Sequence, residues 1–140
     1  MMPLELLSSS EEETDQLGKK LAQQLSRGDI LALRGDLGAG KTTLIKGIVS
    51  GALEINPAVI NSPTFTYLNI YPGEPTFYHF DLYRLKDEKD FFTLGFVEFL
   101  DAGGICCIEW PERIQKILPK KTIWIHLIHQ DKTKRALRWA

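Results

Sequence analysis

Asp29-Ile30-Leu31-Ala32-Leu33-Arg34 runs directly into Gly35-Asp36-Leu37-Gly38-Ala39-Gly40-Lys41-Thr42-Thr43, and this stretch decides the fold. Its first half is apolar, of strand length and hardly alternates, as expected of a strand covered on both faces. Its second half fits Gly-x-x-x-x-Gly-Lys-Thr, the pattern of a phosphate-binding loop. Glycines let the backbone turn so that successive N–H groups converge on phosphate oxygens. Leu44, Ile45, Ile48 and Val49 then take up helical spacing until Gly51. The loop therefore opens a helix, whose N-terminal N–H groups and dipole add to the same anion site. Asp36, Leu37, Gly38, Ala39 and Gly40 supply the cradle, Lys41 reaches the β- and γ-phosphates, and Thr43 follows at the helix start. The Thr42 hydroxyl can take a place on Mg²⁺. A strand, this loop and an amphipathic helix in that order predict nucleotide binding.

Upstream, Ser8-Ser9-Ser10 before Glu11-Glu12-Glu13 reads as a helix start, with Ser10 capping and Glu13 at the reciprocal position. Leu17, Leu21 and Leu25 continue the stripe toward an end near Gly28. Downstream, Phe65 to Tyr71 and Thr76 to Asp81 flank Pro72-Gly73-Glu74-Pro75 and predict an antiparallel hairpin. Asp87 to Leu100 predicts one or two short helices broken near Gly95. Ile105 to Ile108 reads as a second buried strand, Pro111 to Leu118 as a short helix, and Thr122 to Ile128 as a strand with Ala136 to Trp139 beside it. The order predicts an α/β fold, a P-loop NTPase-like three-layer sandwich. Its sheet is mixed, parallel at the centre with antiparallel edge strands.

Composition narrows the class. A chain of 140 residues is expected to be a single domain spanning 1–140. With 17 Lys+Arg against 18 Asp+Glu, no overall basic footprint for nucleic acid or acidic membrane exists. Cys106 and Cys107 are adjacent in an apolar run, which fits buried free thiols better than a disulfide framework or a zinc site. No stretch has the length of a membrane span, and the N-terminus lacks the pattern of a secretory signal. The expectation is a cytoplasmic protein.

A phosphate-binding loop needs a further acid near Mg²⁺, and two residues at predicted strand ends qualify. Asp81 closes Phe77-Tyr78-His79-Phe80, and Glu109 closes Ile105-Cys106-Cys107-Ile108. Both would reach the carboxyl edge of an open sheet, where such folds hold ligands. The spacing does not choose between them. Ser62-Pro63-Thr64-Phe65 follows the loop helix, where segments that sense the γ-phosphate lie. His79 reads as a buried structural histidine. Arg84 and Arg113 read as surface arginines, and Lys132, Lys134, Arg135 and Arg138 as a solvated basic face.

Taken together, Gly-Asp-Leu-Gly-Ala-Gly-Lys-Thr-Thr at 35–43, Ser-Pro-Thr-Phe at 62–65, His-Phe-Asp-Leu-Tyr-Arg at 79–84 and Glu-Trp-Pro-Glu-Arg at 109–113 resemble the bacterial TsaE family. The resemblance covers nearly the whole chain. It implies an ATP- and Mg²⁺-dependent ATPase that supports TsaD and TsaB, the pair that threonylcarbamoylates adenosine 37 of tRNAs reading ANN codons. TsaE is not itself the transferase, and it meets tRNA only through the complex. Carried over, the metal ligands fall on Thr42 and Glu109, and the catalytic set on Lys41, Asp81 and Glu109. Asp81 would align water or the switch loop, and Thr64 matches the switch threonine. Further nucleotide contacts fall near Glu11 and on Lys134 or its neighbour Arg135. A kinase would need an acceptor pocket and a lid, for which Arg84 and Arg113 are thin material. A GTPase would need an Asn-Lys-x-Asp guanine-reading sequence, and the chain has none.

Overall fold

The structure is a computed structural model, and it describes residues 5–36 and 40–139. The chain alternates strands and helices: β1 (Glu5–Ser8), α1 (Glu11–Ala22), β2 (Ile30–Arg34), α2 (Lys41–Leu53), β3 (Leu68–Tyr71), β4 (Phe77–Asp81), α3 (Glu88–Thr93), β5 (Ile105–Glu109), β6 (Ile123–His129) and β7 (Arg135–Trp139). They form a 7-stranded sheet in the order β1-β7-β6-β2-β5-β4-β3. β2 pairs in parallel with β5 and β6, and β5 in parallel with β4. The flanks are antiparallel, β3 on β4 at one side and β6-β7-β1 at the other. This is the centrally parallel, antiparallel-edged sandwich that the sequence predicts.

Alternation sorts the core into two layers. Leu31, Leu33, Phe77, Ile105 and Cys107 turn to one face and pack with Leu44, Ile45, Ile48 and Val49 of α2 and Leu21 of α1. Ile30, Phe80, Cys106 and Ile108 turn to the other, against Phe91 of α3 and Ile114. The helices α1 and α2 cross at contact distance. A Cβ on Gly47 would stand 2.4 Å from the Asp15 carbonyl oxygen, and one on Gly18 2.6 Å from that of Leu44. Only hydrogen side chains permit that approach.

Local details depart from expectation for identifiable reasons. Ser10 caps α1, its Oγ accepting the Glu13 N–H at 3.0 Å, but the Glu13 carboxylate accepts the Ser9 N–H instead of that of Ser10. α1 ends at Ala22, well before Gly28, because Gln23, Gln24 and Leu25 donate to carbonyls three residues back and tighten the last turn. The Pro111–Ile117 segment forms 3-10 turns, kinked where Ile114 takes φ −130° and ψ 22°. A break does fall at Gly95, whose φ is +77°, between α3 and a 3-10 turn over Val97–Asp101. The sequence pattern does not predict β1, because Leu6 and Leu7 are adjacent and give no apolar alternation; in the fold Leu7 is 64% exposed.

Candidate nucleotide site

Everything the loop needs converges at the carboxyl edge of the parallel strands. β2 delivers the loop, and the helix α2 starts at Lys41 immediately after Gly40. Gly40 has φ +98°, a conformation that strains any other residue, and the position of its missing Cβ lies 2.5 Å from the Arg135 guanidinium. Leu37, Gly38 and Ala39 lie outside the described residues. Asp36 is exposed and faces a neighbouring groove with Arg34 and Glu112.

Over Lys41, Thr42 and Thr43 opens a cavity of about 580 Å³. Glu11 of α1 and Thr64 of the 62–65 segment line it, as do both acids, Asp81 and Glu109. Thr64 is half-buried and Glu11 exposed. Among the lining residues are also Ser62, Tyr83, Trp110, His129, Lys132 and Arg135. Lys134 is exposed and not among them. The solvated-face reading therefore fails for Arg135. It is 6% exposed, its Nε has no hydrogen-bond partner among the described residues, and it stands against Gly40. The reason is alternation in β7: Arg135 and Leu137 turn inward while Arg138 stays outside on Glu5.

The two acids occupy opposing register positions, Asp81 beside Glu109 across β4 and β5. Their hydrogen bonds separate them. Glu109 Oε1 accepts the Thr42 hydroxyl at 3.0 Å, and its Oε2 lies 2.7 Å from His79 Nε2. Asp81 Oδ2 accepts the Ser62 hydroxyl at 2.8 Å, and Oδ1 accepts the Tyr83 N–H at 3.1 Å. Glu109 is thus tied to the loop threonine, and Asp81 to the 62–65 segment. Both are nearly buried, at 4% and 7% exposed. Thr42 and Glu109 present hard oxygen donors side by side, which suits a small divalent cation that also takes phosphate oxygens.

Lys41 Nζ donates to the Gly35 carbonyl at 2.7 Å and sits 4.0 Å from the centroid of the Trp110 ring. Burial pushes the Lys41 ammonium below its ordinary range, and the charges of Glu109, Glu112, Asp81 and Asp36 pull it back up. Trp110 itself has φ +60°, an uncommon conformation for a bulky residue. That backbone turn ends β5 and lets the indole lie over Lys41 and against Tyr83, whose ring centroid is 5.0 Å away.

Sequence reasoning placed Lys41, Thr42, Thr43, Thr64, Glu11, Asp81 and Glu109 at one site, and the structure brings them together. It missed the bond from His79 to Glu109, although His79 and Asp81 share a face of β4 by the period of two. His129 and Lys132 were also missed, since nothing near them in sequence suggests that β6 and β7 return to the loop.

A buried parallel strand, a glycine loop and a helix, with carboxylates at adjacent strand ends and a cavity above them, define the class: a P-loop nucleotide-binding protein. Comparisons narrow this to one family. Residues 8–137 match the family model described as Threonylcarbamoyl adenosine biosynthesis protein TsaE. The chain is 42% identical to the TsaE protein of Treponema pallidum over 121 residues, 86% of this chain and 88% of that protein. It is 44% identical to that of Rickettsia conorii over 128 residues (91% and 72%) and 40% identical to that of Bacillus subtilis over 126 (89% and 77%). The crystal structure of Bacillus subtilis YdiB superposes with a TM-score of 0.81 at 32% identity, covering 97% of this chain and 83% of that one. The chain belongs to the TsaE family.

Proposed function

We propose that this protein binds ATP with Mg²⁺ and hydrolyses it as an accessory to TsaD and TsaB, which threonylcarbamoylate adenosine 37 of tRNAs reading ANN codons. The observation that carries the ATPase reading is the bond from Thr42 to Glu109 at the foot of the cavity. These two side chains would hold Mg²⁺, which neutralises charge on the transferring phosphoryl group when bound. Lys41 leaves the Gly35 carbonyl for the phosphates, and Arg135 meets them from β7. Asp81 holds the 62–65 segment through Ser62, so Thr64 stands where it can sense the γ-phosphate. Family membership and the names of the relatives support the assignment to tRNA modification. Family membership also supports the dependence on partners, and Arg135 is the one arginine among the described residues that lines the cavity.

The test is tRNA modification reconstituted with TsaD and TsaB. ATP should sustain repeated turnover and a non-hydrolysable analogue should not. Equal support from both would reduce this protein to a nucleotide-gated binding module, and no dependence on it would remove the proposed role.

A further inference from the structure

His79 is 0% exposed, in a strand flanked on both sides. Its Nε2 lies 2.7 Å from Glu109 Oε2, while its Nδ1 is buried with no hydrogen-bond partner among the described residues. Leaving a buried polar atom unpaired is destabilising, a penalty a phenylalanine of similar volume would not incur. Packing alone therefore does not explain an imidazole here. Its bonded nitrogen does.

The two oxygens of Glu109 are divided between different partners, Oε1 for Thr42 and Oε2 for His79. A carboxylate oxygen accepts, so His79 Nε2 is the donor in this contact. The terminal torsion of a glutamate is soft, with broad wells instead of sharp ones. With Oε2 released, the carboxylate is free to turn Oε1 from Thr42 toward Lys41, whose charge already attracts it.

We propose that His79 is a positioning residue for the cation site: it pins one oxygen of Glu109 so that the other faces Thr42. The inference rests on the reading of Glu109 as the Mg²⁺ carboxylate, and its test must separate the two.

Four variants of the full chain serve: H79F, H79L, H79Q and E109Q. H79F keeps ring volume without a donor, H79L covers the case that H79F does not fold, and the amide N–H of H79Q reaches toward the same oxygen. ATP affinity is measured by calorimetry in EDTA and along a MgCl₂ series, with a thermal melt for each variant. In EDTA, H79F or H79L should bind ATP within about twofold of the parent, the scatter of a change outside the contact surface. The Mg²⁺ concentration needed for half of the affinity gain should rise about 10–100-fold, as for other groups that orient a metal ligand. H79Q should restore most of it. An unchanged Mg²⁺ midpoint in H79F and H79L overturns the proposal, and so does an H79Q that behaves like them. Equal weakening with and without Mg²⁺ would mark His79 as structural and also overturns it. If E109Q loses the Mg²⁺ gain while the His79 variants keep it, only the positioning role fails. If E109Q keeps it, the metal reading itself fails.

Discussion

The two faces of the central strands use the same backbone for opposite ends. On the face under α2, β4 presents Phe77, His79 and Asp81, and β5 presents Ile105, Cys107 and Glu109, so each strand passes from apolar to acidic as it nears the loop. On the face under α3, the same strands present Tyr78 and Phe80, and Cys106 and Ile108, with nothing charged. That side is an aromatic layer: Phe80 lies 5.5 Å from Phe91 and 5.7 Å from Phe96 between centroids. A period of two thus separates chemistry from support. A parallel sheet makes this efficient, since all carboxyl ends of β2, β4, β5 and β6 point the same way.

Changes on the supporting face should lower stability and spare the site, and changes at the polar ends of the strands on the other face should do the reverse. Phe80→Ala should have the largest effect, a loss of about 3–5 kcal/mol in unfolding free energy by urea titration. ATP affinity of the folded protein should stay unchanged, and a large drop in it would break the division. Lys41→Ala comes next. It should weaken Mg-ATP binding on the order of 100-fold, since a charge-assisted contact is worth about 1.5–3 kcal/mol, without loss of stability. Unchanged affinity in a calorimetric titration would contradict this. Gly47→Ala should cost about 1–3 kcal/mol in stability, because its new methyl group meets the Asp15 carbonyl across the helix crossing. A variant as stable as the parent would show that the crossing yields.

Replacing both cysteines by alanine should matter least to the site. Burial pushes the Cys106 thiol up to about 12, and burial with the nearby Cys106 and Glu109 raises Cys107 further. Neither forms appreciable thiolate at neutral pH, so a thiol reagent should label the native protein only as fast as it opens. ATP affinity of the double variant should match the parent, whereas rapid native labelling would place the thiols at the surface.

What could be read in advance follows from which interactions are local. Gly40, Lys41 and Thr42 lie in one loop, and the hairpin turn and the Ser10 cap are each decided within a few residues. Register across strands is not local. Which of Asp81 and Glu109 faces Thr42 depends on where α2 sits over β4 and β5, and the spacing within either strand is silent on that. The reading of Arg135 as part of a solvated face fails for the same reason, whereas the family resemblance does offer Arg135 beside Lys134 as a nucleotide contact. A basic run looks solvated until β7 is laid against β6, after which alternation sends Arg135 inward and Arg138 out.

Magnesium-dependent ATP affinity of Glu109→Gln, measured beside Asp81→Asn, tests the central claim most directly. Glu109 is bonded to Thr42 and Asp81 to Ser62, so the two carboxylates have different tasks despite facing each other across neighbouring strands. The account predicts that Glu109→Gln still binds ATP in EDTA and loses the gain on adding Mg²⁺. Asp81→Asn should keep that gain and lose turnover in the assembled complex. If Asp81→Asn loses the magnesium gain while Glu109→Gln keeps it, Asp81 is the cation's ligand and the assignment made from the Thr42 contact is wrong.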